Sequence, residues 1–227
     1  MWFQLMITSA RYILFDLNGT LAVGNYPDWY RIIEDVLGLK RKDVEPISLD
    51  VFRSVARGHQ SLVEAFSSIY EIGERKDFEL RAFKIYLSDI RVRKSAIKVL
   101  KTLQAKYTLC LCSDTMGAAK MLVKKLRLER YFSRIFFSCD LGFLKSEKGF
   151  WIKFLSTFKK ASPNEFMMIG DNPRSDIYWP KKMGMYTILI ESNISSPQDY
   201  VPKPRGFNYE KPDHHIKHLE EILNYLP

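Results

Sequence analysis

Carboxylate, hydroxyl and lysine side chains recur in this sequence directly after short apolar runs. Asp16 follows the run YILF, Asp171 follows FMMIG, and Ser113 follows TLCLC. Ligands of an open α/β sheet bind beyond the carboxyl ends of its strands, so side chains in these positions form one coherent candidate site. The members of this candidate site are Asp16, Asn18, Thr20, Ser113, Asp114, Lys145, Asp171 and Asp176.

Two or three carboxylates that converge with a lysine and a hydroxyl are the groups that phosphoryl transfer requires. Asp16 and Asp171 could share a hard cation such as Mg²⁺, which prefers oxygen ligands. Ser113, Lys145 and the backbone amides after Asp16 could hold the remaining phosphate oxygens. The Asp16 carboxylate could then attack phosphorus and form an acyl phosphate. We expect Asp176 to hold the waters of the cation or to orient Lys145.

Each of these segments alone also fits a purely structural role. The stretch DLNGT could be an ordinary Asn-Gly turn after a strand, and DNPRSD could be a loop with a helix N-cap at Asn172 or Ser175. Ser113 and Lys145 taken singly are more often structural or solvated than functional. The order of the segments, each after its own apolar run, favours the joint site.

Short aliphatic and aromatic runs alternate with helical patterns along most of the chain. This alternation predicts an α/β fold in which helices cover both faces of a parallel sheet. We expect strands at Tyr12–Phe15, Tyr107–Cys112, Arg134–Ser138, Phe166–Ile169 and Thr187–Ile190. Helical spacing predicts helices within residues 94–106, 117–128, 148–160 and 175–184, and a final amphipathic helix within residues 214–226.

Residues 24–92 interrupt this alternation. Apolar residues there recur at spacings of three and four, and no convincing strand separates them. Residues 22–91 carry 11 Lys and Arg against 12 Asp and Glu, whereas the whole chain has a formal net charge of +9. We therefore predict an all-helical insert at 24–92 within a core formed by residues 1–23 and 93–227.

The segments that carry the candidate residues resemble, in order and spacing, the four motifs of the haloacid dehalogenase-like hydrolase superfamily. These motifs are FDLNGTL, the apolar run that ends at Ser113, Lys145 within LGFLKSEKGF, and MMIGDNPRSDIYWPKKMGM. Together they span nearly the whole chain outside the insert. The resemblance implies a Rossmann-like three-layer core with strand order 5-4-1-2-3, and it identifies the insert as the helical cap of the family's first cap class.

The same resemblance implies roles for individual residues. Asp16 would be the nucleophile, Mg²⁺ the cofactor, and Asp171 with Asp176 the acidic metal-site pair. Lys145 and the hydroxyl at the end of the second run would bind the phosphate of a small phosphorylated substrate. Lys148 competes for the lysine role, but Lys145 matches the family better because it precedes the helix.

Asn18 departs from the family pattern. In the phosphatases of the family, the residue two positions after the nucleophile is a second Asp, which protonates the leaving oxygen and then activates water. The metal contact from this position is a backbone carbonyl, so cation binding through Asn18 should survive, whereas proton transfer should not. General acid–base help is typically worth about 10²–10⁴ in rate, so we expect a weakened phosphatase that acts best on acyl or aryl phosphates.

Other interpretations of Asn18 remain open. It could mark an altered substrate class, an engineered or deamidated state of a labile Asn-Gly pair, or a phosphate binder without turnover. Dehalogenation is less favoured because the dehalogenases of the family need no cation and lack a pair like Gly170 and Asp171. Phosphonate cleavage would need a Schiff-base lysine in the cap, and the sequence identifies none.

The rest of the composition points to an ordinary globular protein. No apolar run approaches the length of about 20 residues that crosses a bilayer, and the first residues lack a signal-peptide pattern, so we expect a cytoplasmic protein without a membrane partner. Basic residues within 120–134 are not interleaved with aromatic ones, so nucleic-acid binding is not expected. His214, His215 and His218 are expected in a solvated turn, after a proline-rich irregular segment at 193–215.

Overall fold

The computed structural model describes residues 9–26, 28–44, 49–70, 77–192 and 210–226. Its strands are β1 (Tyr12–Phe15), β2 (Ala22–Gly24), β3 (Ile90–Val92), β4 (Thr108–Ser113), β5 (Arg134–Phe137), β6 (Phe166–Gly170), β7 (Tyr186–Ile190) and β8 (His214–Ile216). Its α-helices are α1 (Trp29–Leu37), α2 (Arg41–Val44), α3 (Leu49–Ala56), α4 (Leu62–Ser67), α5 (Phe78–Tyr86), α6 (Ala96–Gln104), α7 (Met121–Lys125), α8 (Ser138–Leu141), α9 (Lys148–Ser156) and α10 (Trp179–Lys182).

One parallel sheet forms the centre of the core, in the order β5-β4-β1-β6-β7-β8. In the central strand β1, Ile13 lies opposite Leu109 of β4 on one side and Met167 of β6 on the other. Strands β7, β6, β1, β4 and β5 correspond to the predicted order 5-4-1-2-3, so the predicted α/β fold and its parallel sheet are confirmed. The new feature is β8, a sixth strand beyond β7.

Successive residues of β1 point into two separate hydrophobic clusters. Ile13 and Phe15 join a cluster that includes the apolar face of α6, whereas Leu14 joins a cluster that includes Phe150 and Trp151 of α9. Helices therefore cover both faces of the sheet and make a three-layer core. A parallel strand that is buried on both faces needs apolar residues throughout, which explains the continuous apolar runs of the sequence.

The predicted amphipathic helix at residues 214–226 is wrong. His214–Ile216 forms β8 and pairs in parallel with residues 188–190, and residues 219–224 form a 3₁₀-helix. The buried residues Ile216, Leu219 and Ile222 recur every three positions, a spacing that a 3₁₀-helix satisfies as well as an α-helix does.

The expected solvated turn at the histidines is also wrong for His214 and His215, which lie in β8. The carboxylate of Asp213 holds this strand in place, because it accepts a hydrogen bond from the backbone N–H of Thr187 at 2.9 Å. Of the predicted irregular segment, residues 193–209 lie outside the described part of the chain.

Helices α1–α5 form the insert between β2 and β3. Helix α1 begins at the N-cap Asp28, whose carboxylate accepts from the backbone N–H of Arg31 at 2.8 Å, and it ends at Gly38 in the left-handed conformation. Strands β2 and β3 pair antiparallel at the base of the insert. The expectation that no strand occurs within 24–92 is therefore wrong at residues 90–92.

Aromatic rings pack against one another in the interior of the insert. The Trp29 ring stacks on the Tyr86 ring with 5.1 Å between centroids, and it meets Phe83 edge to face. This packing joins the first helix of the insert to its last helix. Among the described residues, no helix combines the length and the apolar character that a membrane crossing requires.

Candidate active site

Asp16 stands at the carboxyl end of β1, in the centre of the sheet. The residue is 6% exposed, and its backbone N–H donates to Ile169 O of β6 at 2.9 Å. The following loop turns sharply at Gly19, which has φ +83°. A Cβ atom at Gly19 would lie 2.0 Å from Asp171 Oδ2, so only glycine lets the backbone pass this close to that carboxylate.

Lys145 reaches from the loop between α8 and α9 into the same place. Its ammonium contacts Asp16 Oδ1 and lies 2.6 Å from Asp176 Oδ1, and the residue is 2% exposed. The indole N–H of Trp151 donates to Lys145 O at 2.6 Å and anchors this loop on α9. Lys148, the competing lysine, is exposed at the first position of α9.

Three carboxylates surround the lysine ammonium. Oxygen atoms of Asp16, Asp171 and Asp176 all lie within 4.8 Å of one another. Asp176 sits in a π-helical turn at Pro173–Tyr178, and its Oδ2 accepts from the backbone N–H of Asn172 at 2.9 Å. The backbone thus fixes one oxygen of Asp176, while the other holds Lys145.

The pKa values in this cluster are shifted by burial and by the excess of three carboxyl groups over one ammonium. Burial and the charge of Asp176 raise the pKa of Asp171 to about 7. Burial also raises the pKa of Asp16 above its usual range, against the opposing charge of Lys145. For Lys145 itself, burial lowers the pKa, but the charges of Asp16 and Asp176 outweigh that effect and raise it.

One ammonium therefore faces three carboxyl groups in a poorly solvated site. A dense set of carboxylate oxygens with excess negative charge is the kind of donor set that a hard divalent cation prefers. The residues Asp16, Asp171 and Asp176 therefore fit a Mg²⁺ ion.

Ser113 and Asp114 lie at the carboxyl end of β4, next to this cluster. The Thr115 hydroxyl donates to Ser113 Oγ at 2.9 Å, and the backbone N–H of Thr115 donates to Ser138 Oγ at 2.9 Å. Asp114 Oδ1 accepts from the backbone N–H of Lys145 at 2.8 Å. The hydroxyl of Ser113 is therefore oriented by Thr115, a residue that carries no recognisable motif in the sequence.

Asn18 and Thr20 are held by other contacts. The Asn18 amide donates from Nδ2 to the Tyr86 hydroxyl at 3.3 Å, which links the loop after Asp16 to the insert. Asn18 Oδ1 and Thr20 Oγ1 are buried, and neither has a hydrogen-bond partner among the described residues. No hydrogen bond in the described part of the chain joins either side chain to the carboxylates.

Sequence reasoning missed Arg93. Its Nε donates to Thr20 O at 2.7 Å, and its other guanidinium nitrogen contacts Gly19 O. Arg93 thereby clamps the loop after Asp16 from the far end of the insert. A lone arginine after a short strand carries no motif, so no pattern in the sequence identifies it.

The insert contacts the core beside the lysine loop. Arg57, just after α3, donates two hydrogen bonds to the Glu147 carboxylate, at 2.6 and 3.0 Å. Ser138 Oγ donates to Ala56 O at 2.7 Å. A small cavity remains between insert and core, with Asn18 and Asp114 in its lining.

Comparison with known proteins agrees with this architecture. The profile of the haloacid dehalogenase-like hydrolase family matches residues 10–184. A haloacid dehalogenase-like hydrolase domain-containing protein of Arabidopsis thaliana is 25% identical over 231 residues, which cover 96% of this chain and 84% of that protein.

Solved structures of the same fold are similar along most of their length. A HAD phosphatase from Thermococcus onnurineus has a TM-score of 0.63 at 19% identity, over 94% of this chain and 96% of that chain. A HAD family enzyme from Bacteroides thetaiotaomicron, in complex with magnesium and inorganic phosphate, has a TM-score of 0.65 at 21% identity, over 83% of this chain and 98% of that chain. These likenesses show a shared fold. Since the family profile spans most of the sequence, from the start of β1 to the end of α10, the chain belongs to the haloacid dehalogenase-like hydrolase family.

Proposed function

We propose that this protein is a Mg²⁺-dependent phosphatase that hydrolyses a small phosphorylated metabolite through an aspartyl phosphate on Asp16. The observation that carries the proposal is the buried contact of the Lys145 ammonium with Asp16 and Asp176, beside the carboxylate of Asp171. Family membership and the magnesium and phosphate bound to the Bacteroides enzyme support it.

The positive charge of Lys145 favours the ionised, nucleophilic form of Asp16. Burial favours the protonated, unreactive form of Asp16, and the adjacent ammonium opposes this effect. The Asp16 carboxylate attacks phosphorus, and the bond between phosphorus and the leaving oxygen breaks. Lys145 and Ser113 bind the phosphoryl oxygens, and Asp176 keeps the lysine in position. Mg²⁺, held by Asp16 and Asp171, would neutralise negative charge on the phosphate.

The insert acts as a lid in this proposal. The contacts of Arg57 with Glu147 and of Asn18 with Tyr86 hold the insert against the core. A closed insert excludes water from the site, which strengthens the electrostatic interactions of the carboxylates and the lysine. The substrate must therefore enter while the insert is open.

Hydrolysis of para-nitrophenyl phosphate, measured with Mg²⁺ and with EDTA, tests the proposal. We expect Mg²⁺-dependent turnover that falls at least about 10³-fold in Asp16→Asn. The matched control is Asp140→Asn, because Asp140 is an exposed aspartate that pairs with Lys120 outside the carboxylate cluster. Full activity of Asp16→Asn, or turnover in EDTA equal to that in Mg²⁺, would contradict the proposal.

Asn18 favours a second candidate function, a phosphate-binding protein without turnover. An amide cannot exchange a proton with the leaving group, and the Asn18 Nδ2 already donates to the Tyr86 hydroxyl. Silence of both the wild type and Asn18→Asp in the same assay, together with phosphate binding measured by calorimetry, would favour this second function.

A further inference from the structure

We propose that the carboxyl group of Asp114 takes the acid–base role that Asn18 cannot perform. In this role Asp114 protonates the leaving oxygen in the first step and deprotonates the attacking water in the second. The inference rests on the proposed phosphatase function and supplies the proton donor that this function lacks.

The location of Asp114 is the first argument. Asp114 and Asn18 line the same small cavity between core and insert, together with Trp29, Tyr86 and Met116. Among the described residues that line this cavity, Asp114 is the only one with a carboxyl group. A leaving group beside Asn18 would lie at this cavity, so its proton donor must be a side chain that lines the cavity.

The hydrogen bonding of Asp114 is the second argument. Its Oδ1 accepts from the backbone N–H of Lys145 at 2.8 Å, and the ammonium of the same lysine contacts the nucleophile Asp16. Hydrogen bonds within the described ranges engage no other atom of the Asp114 carboxyl group. One oxygen therefore fixes the side chain relative to the reacting groups, while the other is available for proton transfer.

The charges around Asp114 suit both halves of the reaction. Burial raises the pKa of Asp114 to about 6, against the lowering effect of the Lys145 charge. The charges of Asp176 and Glu147 also raise this pKa, and the Arg57 guanidinium of the insert interacts electrostatically with Asp114. A group that titrates near neutral pH is efficient both as an acid and as a base.

The two steps balance in protons and bonds. In the first step, Asp16 forms a bond to phosphorus, the bond to the leaving oxygen breaks, and this oxygen takes the proton of Asp114. In the second step, the Asp114 carboxylate takes a proton from water, and the water oxygen bonds to phosphorus. The bond between phosphorus and Asp16 then breaks, which releases phosphate and restores both side chains.

The test compares two substrates that differ in their need for a proton. Glycerol 2-phosphate has a leaving alkoxide that must be protonated, whereas the aryl oxygen of para-nitrophenyl phosphate leaves without a proton. We expect Asp114→Asn to lower kcat/KM about 10²-fold for glycerol 2-phosphate and less than about threefold for the aryl phosphate. Asparagine keeps an acceptor for the Lys145 N–H, and thermal melting checks that the variant is folded.

Two further measurements distinguish proton transfer from a structural role. In the wild type, kcat/KM for glycerol 2-phosphate should fall as the pH rises through about 6, and Asp114→Asn should lose this limb. Ionisation of the substrate itself affects both proteins alike. Introducing Asn18→Asp into the Asp114→Asn protein should restore alkyl phosphate hydrolysis, because it returns a carboxyl group to the same cavity.

The possible outcomes separate the inference from the function beneath it. Equal kcat/KM values of Asp114→Asn and wild type for both substrates, with the aryl phosphate hydrolysed, would overturn only the role of Asp114. The same holds if Tyr86→Phe, and not Asp114→Asn, shows the loss that is specific to the alkyl phosphate. A wild type that hydrolyses neither substrate would overturn the proposed function and this inference together.

Discussion

Substitution of Arg93 tests how the loop after Asp16 is held in place. Its side chain donates to Thr20 O and contacts Gly19 O, while its backbone N–H donates to Leu21 O at 2.8 Å. Arg93→Ala removes the two side-chain contacts and leaves the backbone hydrogen bond. Hydrogen bonds from charged donors are worth about 1.5–3 kcal/mol each, and water can replace part of the loss at a half-buried site. We therefore expect the free energy of unfolding to fall by about 2–3 kcal/mol.

The same variant should also slow catalysis. The loop that Arg93 clamps directly follows Asp16, and a displacement of about 1 Å in a catalytic group costs about 10²-fold in rate. We expect kcat for para-nitrophenyl phosphate to fall between about 10-fold and 10²-fold, measured beside urea unfolding. The matched control is Arg91→Ala, an exposed position two residues earlier on β3. If Arg93→Ala and Arg91→Ala have the same free energy of unfolding and the same kcat, the Arg93 contacts do not position the loop after Asp16.

Two further predictions concern the loop and the lid. Gly19→Ala should abolish hydrolysis, because a Cβ atom 2.0 Å from Asp171 Oδ2 forces that carboxylate to move. Gly38→Ala is the control, since Gly38 also has a positive φ but nothing lies within 4 Å of its added Cβ; equal activity of the two variants would contradict the prediction. For the lid, a double-mutant cycle of Arg57→Ala and Glu147→Ala should give a coupling free energy of unfolding of about 0.5–1 kcal/mol. The two side chains form a bidentate ion pair, but each is about 30% exposed, which weakens their interaction. Each single variant should raise KM for para-nitrophenyl phosphate, and additive effects in the cycle would show that the pair does not hold the insert.

The main sheet could be predicted from the sequence because its central strands, β1, β4 and β6, are buried on both faces. Such strands need unbroken apolar runs, and these runs are visible without any knowledge of contacts. The candidate site followed from the same runs, since a parallel sheet gathers the residues after its strands at one edge. The structure brings Asp16, Lys145, Asp171 and Asp176 into one cluster, as the order of the segments suggested.

The features that escaped prediction depend on partners distant in sequence. Strand β8 has only three residues, and it exists because β7 offers an open edge and Asp213 caps the pairing at Thr187. Its local spacing of apolar residues fits a helix equally well. Arg93 is similar, because its role depends on carbonyl groups 73 and 74 positions earlier in the chain. Neither interaction leaves a local pattern that a reader of the sequence could find.

Asn18 adds no negative charge to a site that already holds three carboxyl groups. Three carboxyl groups already share one ammonium, and burial raises the pKa of two of them. A further carboxylate on the loop directly after Asp16 would add like charge to this cluster. Asp114 carries its carboxyl group directly after β4, where the backbone N–H of Lys145 stabilises its charge. In the proposed mechanism, Asp114 supplies the proton, while Asp16 attacks phosphorus and Asp16 with Asp171 holds the cation.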